Sequence, residues 1–203
     1  MKVITSEQGR LELERLDFDI IEAISKILDY VPEGDILGLS YIFVVDLPSN
    51  RKSFQDRTLG SYFPKVSNQP AYIELYLKNL FAHIKSAESL RQMLPIQELG
   101  LATTIYHEIG HHVRQIRTHG ISKSKNENFA RSYGKEIMNT YILNNAKSIK
   151  RCFADLENSA ESKGLSLEVI TKMKTGGESY YKEAKQSESS LDTSKKTKKS
   201  TKK

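Results

Sequence analysis

Cysteine is almost absent from this chain, long apolar runs are missing, and neither sign of charge dominates its body. A single cysteine, Cys152, excludes an intrachain disulfide, whereas proteins of oxidising compartments usually carry several pairs. A cytoplasmic location is expected. The longest apolar stretch, Ile36 to Leu47, is broken by Gly38, Ser40 and Asp46, well short of the ~20 residues that a membrane helix needs. The opening Met1-Lys2-Val3-Ile4-Thr5-Ser6-Glu7 turns polar before an apolar leader core can form. No secretory leader and no membrane partner are expected. The net charge of +6 comes from 31 basic against 25 acidic residues, and six of the lysines lie in Ser194 to Lys203, which holds no acid. The rest of the chain is therefore balanced, 25 against 25. No helix-turn-helix or aromatic-basic motif accompanies the lysines, so nucleic acid is expected to make at most weak contact through this tail.

What is present is ordinary globular material: 203 residues, 38% hydrophobic and 28% charged, enough for one domain with a real core. Phe18, Ile20, Ile21, Ile24, Ile27 and Leu28 recur at helical spacing, with Asp17 or Asp19 as a cap and Val31-Pro32-Glu33-Gly34 as a stop. Leu39 to Asp46 reads as a buried strand, and Leu59 to Pro64 and Ala71 to Leu77 as two more, joined in a hairpin. Asn79 to Leu94 is helical again, and Pro95 is expected to start the next helix, where proline is tolerated. That helix would bury Leu99, Ala102, Ile105, Tyr106, Ile109, Val113 and Ile116 and end at His119-Gly120. A further helix is expected from Ser124 or Asn126 to about Lys147, and shorter ones over 148–175. Residues 176–203 have little to bury and are expected to be a disordered Lys/Ser-rich tail. The pattern predicts an α+β fold: a small mixed or antiparallel sheet packed on one helix, a helical C-terminal part, and a single domain over 1–175 with its core in about 17–147.

The chemistry sits in His107-Glu108-Ile109-Gly110-His111-His112. On a helix, His107 and His111 share a face because residues four apart are neighbours. Glu108 lies about 100 degrees round, where it can act as general base on water rather than share the metal. A catalytic zinc site takes three protein ligands, so a third donor must come from elsewhere. Glu127 follows His111 by sixteen residues. The motif helix continues for roughly 10 Å beyond His111, and the loop from Gly120 to Asn126 can span up to roughly 23 Å, so a carboxylate on the returning helix can reach the metal. Three alternatives stand beside it. Glu127 can instead close a capping box with Ser124, Glu136 can be the ligand if the loop is longer in space, and His119 is a weaker donor. His112 points about 100 degrees away from His111 and reads as a surface group or a support to the ligands. Cys152 reads as a small buried apolar residue.

H-E-x-x-H on one helix and Asn126-Glu127-x-x-Ala130 on the next resemble the gluzincin zinc metallopeptidases, above all the small minigluzincin and ImmA/IrrE-like groups. The resemblance covers about residues 17–147. It implies a zincin-like fold, a zinc ion (Zn2+) on His107, His111 and Glu127, Glu108 as the base, and hydrolysis of peptide bonds in a protein or peptide substrate. It also implies an edge strand that aligns the peptide, which would be Ala71 to Leu77 with Ala71, Ile73 and Leu75 at the substrate. An oxyanion donor is needed as well; Tyr133, Tyr141, His119 and Arg131 are the candidates, Tyr133 foremost. One departure stands out: the acid that thermolysin-like gluzincins carry four residues after the glutamate ligand is Arg131 here. Losing a group that orients a ligating histidine costs about 10–100-fold in affinity or activity, so a non-hydrolytic regulator on the same fold is the alternative.

Overall fold

In the computed structural model, residues 1–48, 58–117, 123–159, 171, 174–175 and 182 are described. They belong to two compact units, Met1–Met138 and Asn139–Lys203. The first unit begins with a strand, β1 (Lys2–Thr5), and two helices, α1 (Glu7–Leu16) and α2 (Ile20–Leu28). A short 3-10 turn, Glu33–Asp35, leads into β2 (Leu39–Val45), β3 (Gly60–Phe63) and β4 (Ala71–Tyr76). A single turn α3 (Leu77–Leu80) and two long helices, α4 (Ala87–Arg117) and α5 (Lys123–Ser159), follow. The protein is α+β, with a four-stranded mixed sheet in the order β1-β2-β4-β3.

The sheet is parallel from β1 through β2 to β4, and β3 pairs with β4 antiparallel. Ile42 lies beside Ile73 and Val44 beside Leu75, and none of these four has exposed surface. Alternation along each strand gathers them on one face, which with Ile24, Ile27, Ile105 and Ile109 makes the core. Strand β1 and helix α1 are absent from the sequence reading. Lys2–Thr5 is a half-exposed edge strand, and α1 buries only Gly9, Leu13 and Leu16, so neither carries a strong apolar period. Helix α1 is started instead by Ser6, whose hydroxyl accepts from Gly9 N–H at 3.1 Å, a cap worth about 1 kcal/mol. Asp17 turns left-handed, with φ of 52°, and ends α1, while Asp19 caps α2.

Two expectations about the helices are corrected. Pro95 does not start the motif helix but lies inside α4. Ser86 and Ser89 cap each other reciprocally through N–H and hydroxyl at 3.0 and 3.2 Å, which begins the helix before the proline. The ring removes only the N–H that would serve the carbonyl of Arg91, an exposed residue whose oxygen water can satisfy. The region 79–94 is accordingly not one helix. Likewise α5 does not stop near Lys147 but runs to Ser159. In the second unit its buried residues Tyr141, Ile142, Ile149, Cys152, Phe153 and Leu156 keep helical spacing past that point, and Lys174 pairs with Glu157 at 2.9 Å. The expected stop at His119-Gly120 and, apart from Lys182, the tail over 176–203 lie outside the described residues.

Candidate metal centre

Helix α4 is anchored by its own apolar stripe. Leu101, Ala102, Ile105, Tyr106, Ile109 and Val113 are buried, and the Tyr106 hydroxyl donates to the carbonyl of Ile27 at 2.9 Å, tying α4 to the end of α2. Ile116, expected on this face, is 44% exposed.

Where α5 meets α4, the backbones nearly touch. A Cβ on Gly110 would stand 2.7 Å from the Cα of Ala130, and one on Gly134 would stand 3.3 Å from the amide nitrogen of His107. Real Cβ contacts do not reach 2.7 Å, so residue 110 must be glycine for this approach. Ala130, fully buried, must be small for the same reason. This close packing brings Glu127, one turn before Ala130, over the imidazoles of His107 and His111. The Nε2 atoms of the two rings are 3.1 Å apart, and the Glu127 carboxylate oxygens lie 3.5 Å from His107 Nε2 and 3.3 Å from His111 Nε2. Among the described residues these three form the one cluster able to hold a metal ion. Donors around a tetrahedral ion with bonds of about 2.0–2.2 Å stand about 3.3–3.6 Å apart. Both Glu127 distances fall in this range and the imidazole pair is about 0.2 Å short of it, so the donor set suits a small divalent cation in chemistry and lies close to it in spacing.

The electrostatics point the same way. Burial, then the neighbouring His111 ring, push the His107 imidazole below its usual pKa; Glu127 opposes this and Arg131 adds to it. This shift favours the neutral imidazole that a metal ligand must present. Arg131 is exposed and, being a pure donor, cannot accept from a ligand ring.

Glu108 lies on the neighbouring side of α4 and is 7% exposed. Burial pushes its carboxyl up to about 7, opposed by the hydrogen bond from the Tyr62 N–H and reinforced by Glu127. That bond, to Oε2 at 2.8 Å, links it to strand β3. A cleft of about 440 Å³ opens between Gly60, Ser61 and Tyr62 on one wall and His107, Glu108, His111 and Glu127 on the other. Asn126 also lines it, and its buried Oδ1 has no hydrogen-bond partner among the described residues.

The remaining candidates separate. Ala71, Ile73 and Leu75 are not at an edge: β4 lies between β2 and β3, so its backbone groups are spent on both neighbours, and all three side chains are buried. The edge beside the cleft is β3. The Tyr133 hydroxyl is not available to an oxyanion either. Six residues beyond Glu127, it falls about 120 degrees away on the helix and donates to Asp35 at 2.9 Å, a buried carboxylate that also receives Arg117. Burial, then this bond, raise the Tyr133 pKa. Glu136 is exposed on the opposite side of α5 from Glu127. Ser124 is already inside α5, so the helix does not begin where the capping box requires. Tyr141 falls in the second unit and His119 outside the described residues.

His112 is buried rather than on the surface. Its Nε2 meets the carbonyl of Leu37 at 2.9 Å and its Nδ1 the hydroxyl of Tyr62 at 3.1 Å. Alternation in the strand sets Gly60 and Tyr62 on one face, but nothing in the sequence ties that face to α4, 46 residues away.

No helix among the described residues is long and apolar enough to cross a membrane. No protein-family model, curated protein or solved structure matches this chain.

Proposed function

We propose that the chain is a zinc-dependent metallopeptidase that hydrolyses peptide bonds of a dedicated protein substrate. The observation that carries this reading is three donor atoms 3.1–3.5 Å apart, from His107, His111 and Glu127, beside a buried carboxylate on an open cleft. Zinc, when bound, would supply a Lewis acid that polarises a carbonyl and acidifies water. Glu108 accepts the proton of the attacking water on Oε1, since Oε2 is engaged by Tyr62, and returns it to the amine as the C–N bond breaks. Two imidazoles and a carboxylate also suit non-haem iron; the H-E-x-x-H spacing with its adjacent carboxylate favours zinc and hydrolysis.

The substrate lies extended along β3. Tyr76 N–H donates to the carbonyl of Leu59 at 3.0 Å, and alternation then turns the backbone of Gly60 and Tyr62 outward; the Tyr62 N–H is taken by Glu108, which leaves both backbone groups of Gly60 and the carbonyl of Tyr62 where a further strand can pair. Pro64, with no N–H, ends the pairing.

The test is a broad peptide and protein library offered to the zinc-loaded protein and to Glu108→Gln. The reading expects cleavage by the first, and a loss of about 10²–10⁴-fold or more in the second with zinc retained. Arg131 favours a second reading, a zincin-fold regulator that binds its partner along β3 without cutting it. Zinc uptake with no Glu108-dependent cleavage would select that reading.

A further inference from the structure

Strand β3 is short and has, among the described residues, one strand neighbour, β4, yet it must hold a fixed height over α4 if Tyr62 N–H is to meet Glu108. Two devices hold it. At Gly60 the strand lies so close to α4 that a Cβ would stand 2.8 Å from the Thr104 side chain. At Tyr62 it grips α4 twice: the backbone N–H on Glu108 Oε2 at 2.8 Å and the hydroxyl on His112 Nδ1 at 3.1 Å, four residues and one turn apart.

The polarity of the second grip follows from its far end. The Leu37 carbonyl can only accept, so the His112 Nε2, 2.9 Å away, carries the proton. In a neutral imidazole this leaves Nδ1 as the acceptor, to which the Tyr62 hydroxyl donates. His112 is 1% exposed, so water does not compete for these bonds.

We infer that His112 is a positioning residue: through the Tyr62 hydroxyl it holds β3 at the height where the Tyr62 N–H secures one oxygen of Glu108 and leaves the other to the cleft. Its effect on turnover rests on the metallopeptidase reading; its effect on the strand does not. Without the hydroxyl grip, the Tyr62 N–H slips from Glu108 and the carboxylate can rotate away from the productive orientation.

Three variants separate this role from simple packing. In His112→Asn the amide oxygen takes the place of Nδ1 and keeps an acceptor for Tyr62, although the side chain is smaller. His112→Gln is nearer in size and can still reach Leu37, but loses the acceptor. Tyr62→Phe removes the hydroxyl alone. On the zinc-loaded protein, amide exchange at Tyr62 is expected to stay near wild type in His112→Asn and to rise about tenfold in His112→Gln and Tyr62→Phe, the equivalent of one hydrogen bond. Turnover should fall in the same order, in kcat more than in KM, with zinc content constant. Exchange equal in all four proteins, or a Gln variant closer to wild type than the Asn variant, overturns the inference. If the His112 variants do not fold, Tyr62→Phe decides it alone. A wild type that holds zinc but cleaves nothing removes the proposed function and leaves the exchange comparison to judge His112.

Discussion

Helix α4 meets two neighbours in opposite ways. Toward α5 the contact is made by missing side chains: Gly110 against Ala130 and Gly134 against the His107 backbone. Toward β3 it is made by polar groups, Glu108 and His112 both bonded to Tyr62. The first contact fixes where Glu127 stands relative to two imidazoles; the second fixes where a buried carboxylate points. Damage to the α5 side should therefore appear as lost metal, and damage to the β3 side as lost turnover with metal kept.

The largest effect that would sharpen this contrast is on the α5 side. His107→Ala or His111→Ala leaves two donors, and zinc affinity measured by competition with a chelator is expected to fall by about 10³-fold or more. Retained affinity would break the contrast at its root. Next comes Gly110→Val, which puts atoms where Ala130 already stands. Overpacking of this kind typically costs about 1–3 kcal/mol, visible in a denaturant titration, and Glu127 should be displaced enough to weaken zinc binding as well. A variant as stable and as well metallated as the wild type would show that the close approach is not needed. The smallest effect is at Arg131. Arg131→Asp removes a cation near His107 and adds an acceptor on that side of the site, so zinc affinity should rise by up to about tenfold. An unchanged or reduced affinity would mean that His107 is already oriented by another group.

The α5 side was the legible one. H-E-x-x-H needs only helical geometry to be read, and Glu127 lay within reach of any short return. The β3 side was not. The edge role was assigned to Ala71–Leu77, but a strand buried at five of its six residues, as Ala71–Tyr76 is despite Glu74, lies between neighbours, whereas the half-buried, glycine-bearing Gly60–Phe63 is the edge. The choice between interior and edge depends on β2, which pairs parallel with β4 across the β3 that intervenes in sequence, a long-range pairing that no local pattern announces. Tyr133 failed as an oxyanion donor for a similar reason. Asp35, its partner, is 98 residues earlier, and no local pattern connects them. Pro95 looked like a helix start because proline favours first turns; the reciprocal Ser86–Ser89 cap outweighed that preference.

All of these contrasts presuppose a metal held by His107, His111 and Glu127. X-ray absorption at the zinc edge, combined with metal content of the purified protein and of Glu127→Ala, tests this most directly. The account predicts one zinc ion per chain, a first sphere containing two imidazoles and light oxygen donors, and loss of most of the metal in the Glu127 variant. A wild-type protein that takes up no zinc, or a Glu127→Ala protein that binds it equally well, would contradict the account.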